Sequence, residues 1–410
     1  MKTLISGVKL VYPGNALHGK RVNIVTDGEK ILEIGSPKGI KNEIDGKNLV
    51  LLPGLVDAQC FTGEPGYEDK EDLRSLTSSA RAGGFKHLML LPTSDPVVDS
   101  KSAVEYVTRK SGLNGVQLYP LGAISKGIKG VELSEMFDMH QSGAIAFTDG
   151  KQPIADVNMM KRALLYSKNF GGLVYSFPND ERLSPGGMVN ESPSSTSLGL
   201  KTSPPLAEEI MLNRDIYLLG YTDSRMHVAS VSTRNSVKLI AEGKKKGLDL
   251  SAAVPAANLL YNEKELHSFD TNFKTNPPLR ESKDQKELIK AVEKGTIDMI
   301  ITDHSPELIE NKDVEFYQSE YGMTMLETAL SALTDARYAG LSLDTIAEAM
   351  SIAPRERFGL PMPELKKNAA FDFTLYDPKQ KWTYTASSKQ SKAGNSPFIG
   401  QELTGKVITL

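Results

Sequence analysis

The middle of the chain repeats one unit, a short apolar run followed by a stretch with helical periodicity. Eight apolar runs occur in order: LVLLPGLVDA, KHLMLLPT, VQLYPLGAIS, AIAFTD, LVYSFP, MHVASVS, LDLSAAVPA and DMIITDHS. Near-continuous apolar runs are typical of parallel strands that helices cover on both faces. Eight such strands alternating with helices favour a closed α/β barrel of the (β/α)8 TIM type, and an open doubly wound sheet of eight strands is the alternative.

The two ends of the chain carry a different pattern, with short runs that alternate apolar and polar residues. VNIVTDGEKILEI holds two such runs around Asp27-Gly28, a pair of residues that favours a tight hairpin turn. Near the other end, the same kind of short strand-like run occurs in AAFDFTLYD, KWTYTA and GKVITL. We therefore predict a small discontinuous β-sandwich domain from residues 1–52 and 362–410, and a barrel from residues 53–361.

Composition excludes several function classes. The 410 residues include 48 basic and 51 acidic side chains, and a net charge of −3 gives no general attraction to nucleic acid or to anionic membranes. The single cysteine, Cys60, cannot form an internal disulfide. No run approaches the roughly 18 apolar residues of a membrane span, and the start lacks an apolar signal region. These features predict a cytoplasmic protein.

The longest irregular segment is the Ser-, Pro- and Gly-rich stretch from Leu183 to Pro205. A long loop after the fifth strand belongs on the functional face of a barrel. The same composition fits disorder equally well.

Candidate functional side chains follow the predicted barrel strands, where the active sites of such barrels form. These candidates are Asp57, Gln59, Phe61, Glu64, Asp95, Lys126, Asp149, Asn179, Asp180, Ser230, Ser232, Asn258, Asp303 and His304. Neighbours in a strand point to opposite faces, which favours an inward Asp303 with a packed His304 over a catalytic dyad. Ser232 with His227 and Asp223 suggests a nucleophile triad, but no G-x-S-x-G turn accompanies it.

The six histidines form no pattern that is typical of a zinc site. They are His18, His87, His140, His227, His267 and His304. None is paired as H-x-H or at a spacing of four, and no C-x-x-C motif exists. The sequence by itself therefore argues against a zinc protein.

At VLLPGLVDAQCFTGEPG the chain resembles the dihydroorotases of the amidohydrolase superfamily. The likeness continues in blocks along nearly the whole chain: LPTSDPVVD, LGAISKGIKG, SGAIAFTDG, SLGLKTSPPLAEEI, MHVASVSTRNSV, TNPPLRE, ITDHSP, YGMTMLETAL and GNSPFIG. The resemblance implies the amidohydrolase barrel with its β domain, and a family that interconverts carbamoyl aspartate and dihydroorotate with zinc.

This chain departs from the family at the zinc ligands. In the family frame D-x-H-x-H-x-R-E-P-G, Gln59 and Phe61 stand at the two zinc-binding histidines, and Gly63 stands at the arginine that grips the substrate carboxylate. In F-S-D-D-G, Gly150 stands at the bridging carboxylate.

The remaining ligand positions lie farther along the chain. Phe177 and Ser230 correspond to histidine ligands of the fifth and sixth strands. Asp303, the family's catalytic aspartate, is the one metal ligand that remains, and one carboxylate cannot hold zinc against water. We predict no metal at this site and no cofactor. Zinc lowers the pKa of its bound water from 15.7 to about 7, so roughly 12 kcal/mol of hydroxide availability is lost with it.

Three further positions correspond to the substrate pocket. Asn276 is kept from the family, Asp95 replaces an asparagine that faces the substrate, and Glu307 replaces a histidine that helps to hold it. The acidic Asp95 and the missing arginine both oppose binding of an anionic substrate.

Three hypotheses follow. The first is an inactive dihydroorotase-like protein that acts as a structural or regulatory partner of aspartate carbamoyltransferase, a role known for inactive members of the family. The second is an active dihydroorotase or related cyclic-amide hydrolase with a rearranged or metal-free site. The third is a binding module that senses a pyrimidine intermediate. We also expect a homo-oligomer.

Overall fold

The structure is a computed structural model that describes residues 2–35 and 39–410. Strands and helices are numbered in chain order. In these residues no helix is long and apolar enough to cross a membrane.

Strands from both ends of the chain form one sheet. Among the described residues it contains seven strands, in the order β17-β16-β5-β1-β2-β3, with β4 paired to β1. They are β1 (Thr3–Leu10), β2 (Arg21–Thr26), β3 (Ile31–Ile34), β4 (Asn42–Asp45), β5 (Val50–Pro53), β16 (Phe373–Thr383) and β17 (Glu402–Ile408). The turn at Asp27-Gly28 joins β2 to β3 as an antiparallel hairpin. The exact domain boundaries stay a prediction.

Each of the eight predicted apolar runs contains one strand of a parallel barrel. Within the described ranges the order is β15-β14-β13-β10-β9-β8-β7-β6. The bounds are β6 (Leu55–Cys60), β7 (Phe85–Leu90), β8 (Gln117–Gly122), β9 (Ala146–Phe147), β10 (Val174–Ser176), β13 (Arg225–Val228), β14 (Asp249–Pro255) and β15 (Met299–Ile301).

The predicted closed barrel is confirmed. Cys60 at the end of β6 forms a parallel bridge with His304, which follows β15. The N–H of Phe61 donates to the His304 carbonyl at 2.9 Å. These contacts join the first and last strands, so the alternative of an open sheet is wrong.

Helices follow most barrel strands. The helices are α1 (Leu73–Ala82), α2 (Lys101–Arg109), α3 (Met136–Gln141), α4 (Val157–Lys168), α5 (Pro193–Thr196), α6 (Pro205–Thr222), α7 (Arg234–Lys245), α8 (Ala256–Leu260), α9 (Ser282–Glu293), α10 (Ile309–Lys312), α11 (Ala329–Thr334), α12 (Leu343–Ala347) and α13 (Ala353–Phe358). A π-helical stretch, Glu348–Ile352, joins the last two. Three of the helices begin where Asp72, Asp156 and Thr233 accept the N–H three residues on, which satisfies a donor that the helix leaves unpaired.

The strand alternation places aromatic rings inside the barrel. Tyr175 of β10 and Phe177 just after it are buried in one apolar cluster with side chains from the other barrel strands. Ser176 between them points outward, and its hydroxyl donates to Asp215 of α6 at 2.6 Å. The period of two along a strand thus puts Phe177 on the inner side.

The segment Leu183–Pro205 forms regular structure. It contains α5 and a two-stranded ribbon of β11 (Val189–Asn190) and β12 (Thr202–Ser203). The buried guanidinium of Arg280 donates to the carbonyl of Ser203 at 2.7 Å, to the Asn190 side chain at 3.0 Å and to the Ser232 hydroxyl at 3.0 Å. Arg280 therefore fastens this segment to the end of the barrel that carries the candidate site.

Candidate functional site

The candidate site is centred on the carboxylate of Asp303, just after β15. Its backbone is in the left-handed region, with φ of 53°. Oδ1 accepts a hydrogen bond from Gln59 Nε2 at 2.8 Å, and Oδ2 forms an ion pair with Lys151 Nζ at 2.7 Å. The Asp303 side chain is 11% exposed and that of Lys151 is 24% exposed. Two groups from other strand ends therefore hold this carboxylate: the Gln59 amide donates a hydrogen bond, and the Lys151 ammonium offsets the negative charge.

Three of the predicted site residues meet here. Gln59 is the fifth residue of β6, where the pairing register with β7 shifts between Asp57 and Cys60. Its Nε2 lies 3.4 Å from the hydroxyl oxygen of Ser230, which follows β13, as well as contacting Asp303. Gln59, Ser230 and Asp303 thus form one buried polar cluster.

Lys151 is the residue that sequence reasoning missed. It follows Gly150 directly, shortly after β9. Gly150 has φ of +65°, and a Cβ there would lie 2.7 Å from the Thr93 methyl group, so this position tolerates little besides glycine. The signal that could have found it is its basic side chain, which closely follows a barrel strand in a rim made mostly of acidic and amide residues.

Aromatic rings occupy two other predicted ligand positions. Phe177 is buried in the apolar cluster inside the barrel. Phe61 is half-buried, and its ring centroid lies 6.4 Å from that of Tyr67. Neither ring offers a lone pair to a metal ion.

The loop after β6 leaves no room for a side chain at Gly63. A Cβ there would lie 2.2 Å from the carbonyl oxygens of both Tyr67 and Glu71. The Tyr67 N–H donates to the Gly63 carbonyl at 2.5 Å, which holds the loop in this tight turn. An arginine at position 63 would require a different loop conformation.

The three predicted substrate-pocket residues are not joined to Asp303 by any hydrogen bond or ion pair within the described ranges. Asp95 is exposed. Glu307 is buried and accepts from Lys70 Nζ at 2.8 Å and from Asn311 Nδ2 at 2.9 Å. Asn276 is half-buried, and its side chain makes no hydrogen bond to the residues that the structure describes.

His304 has a structural role. Its Nδ1 accepts from the N–H of Met325 at 3.2 Å, and its Nε2 faces Glu71 at 3.5 Å. Burial raises the pKa of the Glu71 carboxyl, but its contacts with His304 and Ser391 outweigh burial and lower that pKa below its ordinary value. His304 therefore packs outside the pocket, on the opposite side from Asp303.

Other acidic and basic candidates are also engaged elsewhere. Asp57 accepts the Thr302 N–H at 3.0 Å, and complete burial raises its pKa to about 7. Asp149 accepts the N–H of Ser125 at 2.9 Å and holds the loop after β8. Lys126 points outward. None of these three contributes a hydrogen bond to Asp303.

The nucleophile triad is wrong. The Ser232 hydroxyl donates to the buried carboxylate of Glu208. His227 lies inside the barrel, where Nδ1 is 2.7 Å from the Ser251 hydroxyl, and burial lowers its pKa well below the usual value. Asp223 is exposed at the end of α6.

The donor set at this site does not fit zinc. Both oxygens of Asp303 already accept hydrogen bonds, and the neighbouring positions carry an amide, a hydroxyl, phenyl rings and a glycine. Zinc sites need three or four nitrogen, sulfur or oxygen ligands. In residues 2–35 and 39–410, no group of three or more His, Cys, Asp or Glu side chains is placed to hold a metal ion.

Solved structures with the same fold include hydantoinases and dihydropyrimidinases. The L-hydantoinase (dihydropyrimidinase) from Arthrobacter aurescens superposes with a TM-score of 0.83 at 20% identity, covering 98% of this chain and 93% of that one. The dihydropyrimidinase from Brevibacillus agri gives 0.81 at 22% identity, covering 100% and 93%. These neighbours show the fold, a (β/α)8 barrel with an added β domain.

Sequence relatives give the family. The family model described as "Dihydro-orotase-like" matches residues 48–236. The dihydroorotase of Acetivibrio thermocellus is 40% identical over 409 residues, covering 98% of this chain and 96% of the relative. That of Geobacter metallireducens is 36% identical, covering 99% and 96%. The chain belongs to the dihydroorotase family.

Proposed function

We propose that this chain is a dihydroorotase-like protein without dihydroorotase activity, and that it acts as a structural or regulatory partner of aspartate carbamoyltransferase. The observation that carries the loss of activity is the Lys151–Asp303 ion pair of 2.7 Å. An ammonium supplies the positive charge beside the family's catalytic carboxylate, so Asp303 is neutralised without a metal.

The chemistry of the neighbouring positions supports the same conclusion. Hydrolysis of a cyclic amide needs an activated water and a group that polarises the carbonyl, and the reverse ring closure needs the same centre to polarise the carboxyl group and take up the oxygen that leaves as water. Gln59 and Lys151 already donate to Asp303, so both oxygens of this carboxylate are engaged by the protein itself. The tight turn at Gly63 leaves no side chain to grip a substrate carboxylate.

Metal analysis and one activity assay test the proposed inactivity. The purified chain is incubated with zinc, desalted and analysed for metal, then assayed for carbamoyl aspartate ring closure and dihydroorotate ring opening. The dihydroorotase of Acetivibrio thermocellus, treated alike, is the positive control. We expect no stoichiometric zinc and no turnover. Turnover with bound zinc would refute the proposal and establish an active dihydroorotase.

The partner is tested separately with the aspartate carbamoyltransferase of the same genome. The proposal expects the two proteins to co-elute in size-exclusion chromatography as one larger species. Separate elution at micromolar concentrations, with no change in the activity or thermal stability of the transcarbamoylase, would remove this partner from the proposal.

Asn276 supports a second candidate, a site that binds a pyrimidine intermediate without turning it over. Its half-buried amide makes no hydrogen bond to the described residues and is therefore available to a ligand. Carbamoyl aspartate, dihydroorotate and nucleotides would be screened for an increase in melting temperature, with Asn276→Ala as the control. An increase that persists in Asn276→Ala, or no increase at all, would exclude this role for Asn276.

A further inference from the structure

Helix α6 presents an uncharged face to solvent along its whole length. The exposed residues of this face, called the α6 seam, are Leu206, Ile210, Asn213, Tyr217, Gly220 and Tyr221. The first five are spaced by four, three, four and three residues, the spacing at which one helix packs along another. Tyr217 is 77% exposed and Tyr221 is 71% exposed.

Two of the four charged residues of α6 are turned away from this seam, and the other two, Glu209 and Arg214, are half-buried at its edges. Glu208 is buried and accepts the N–H of Ser232. Asp215 is buried between Ser176 and the guanidinium of Arg214, which it contacts at 2.7 Å. An ordinary surface helix exposes charged and polar side chains opposite its core-facing stripe. The α6 seam is apolar on the side where charge is expected, as at a protein interface.

The two halves of the seam have complementary shapes. The C-terminal half borders a groove of about 330 Å³, lined by Tyr217, Gly220, Tyr221 and Leu248 among others, with the charged Lys246 at its edge. The N-terminal half carries the exposed side chains of Leu206 and, one turn later, Ile210. A helix that is antiparallel to α6 and has the same sequence would place its apolar N-terminal half over this groove.

We propose that the α6 seam is the interface with a second copy of this chain, in an antiparallel pairing about a two-fold axis at Asn213. A two-fold interface joins the same patch to itself, so the seam must be self-complementary. An uncharged seam brings no like charges together at its centre, and the two Asn213 amides can donate to and accept from each other. A polar residue in such a seam fixes its register.

The seam supplies part of the surface that a dimer needs. Its four large apolar side chains offer roughly 450 Å² per copy, against about 800 Å² per partner in a standard interface, so residues beside the seam must be buried as well. Val157, at the start of α4, is also exposed, and α4 packs beside α6. This inference is independent of the proposed function, because it does not involve the barrel pocket.

The mass in solution gives the first test. Light scattering on the full chain should find a particle of twice the 44.7 kDa chain mass. The double variant Tyr217→Glu/Tyr221→Glu should be monomeric and should keep the wild-type circular dichroism spectrum, which shows that it is folded. Tyr317→Glu, which changes a tyrosine that is 59% exposed elsewhere, should remain dimeric. A monomeric wild type, or a dimeric double variant, would overturn the proposal.

Crosslinking tests the antiparallel register. Asn213→Cys lies at the axis and should form an intermolecular disulfide on mild oxidation, and the buried Cys60 gives no background. Asp223→Cys, at the end of α6, is the control. Position 223 is ten residues from the axis, so the two copies of this residue would lie roughly 30 Å apart. Crosslinking at 223 but not at 213 would show a different packing and refute this one.

Discussion

Replacing Lys151 is the most direct test of whether its ammonium stabilises the Asp303 carboxylate inside the barrel. In Lys151→Met the Asp303 carboxylate loses its ion pair of 2.7 Å and keeps the hydrogen bond from Gln59 at 2.8 Å. Methionine fills a similar volume, so the change removes charge more than packing. The variant should be less stable than the wild type.

The magnitude follows from burial. Breaking a fully buried ion pair by removing one partner costs about 3–5 kcal/mol, whereas an exposed pair contributes about 0–1 kcal/mol. With Asp303 11% exposed and Lys151 24% exposed, we expect a loss of about 2 kcal/mol, discounted for solvent at the lysine. For a chain of 410 residues, this corresponds to a fall of about 2 °C in melting temperature.

The assay is urea denaturation followed by circular dichroism, with two controls. Lys126→Met removes an exposed ammonium paired with Glu132 and should leave stability unchanged. Asp303→Asn should cost less in the Lys151→Met background than in the wild type, because the two side chains then no longer interact. If Lys151→Met were as stable as Lys126→Met, or the two changes were additive, the ion pair would not hold the site together.

Three further changes have defined outcomes. Gly63→Ala should destabilise the fold by more than about 2 kcal/mol because its Cβ would meet two carbonyl oxygens, whereas Gly394→Ala, whose Cβ has no neighbour nearer than 3.9 Å, should be near neutral in thermal melts. Burial lowers the pKa of Lys312 to about 8, although Glu307 opposes this, so the folded state binds fewer protons than the unfolded state between pH 8 and 10.5. The free energy of unfolding of the wild type minus that of Lys312→Met should therefore rise with pH in that window, by at most about 1.4 kcal/mol per pH unit. Urea titrations in which this difference does not change with pH would contradict the prediction. Arg280→Met should speed proteolysis within Leu183–Pro205, since three of its hydrogen bonds fasten that segment or its neighbours; unchanged cleavage would show that the segment is held otherwise.

Most of the fold was predictable because its signals are local. The apolar runs predict all eight barrel strands, since a strand buried on both faces must be apolar over four to eight residues. The turn at Asp27-Gly28 predicts its hairpin, because these residue types tolerate the backbone angles of a tight turn. Closure of the barrel does not follow from local signals, because the bridge between Cys60 and His304 joins residues far apart in the chain.

The outcome at the site is divided. The family frame alone matches five residues to the family's metal-ligand positions: Gln59, Phe61, Gly150, Phe177 and Ser230. Their poor fit to zinc can be judged without a structure, because the ability to bind a metal belongs to the side chain itself. That these positions are degenerate metal ligands stays a prediction. Sequence reasoning also grouped Lys126 and Asp149 with the pocket, and the structure turns both toward their own loops.

The sequence by itself determined the family, the repeating strand and helix units and the kinds of side chain available at the ends of the strands. Only the tertiary structure decided that Lys151, 152 positions before Asp303, is the cation beside it, and that the turn at Gly63 excludes any side chain. The physical reason is that residue types and periodicity act over a few neighbouring residues. Ion pairs and close backbone approaches depend on which strand ends the closed barrel brings together.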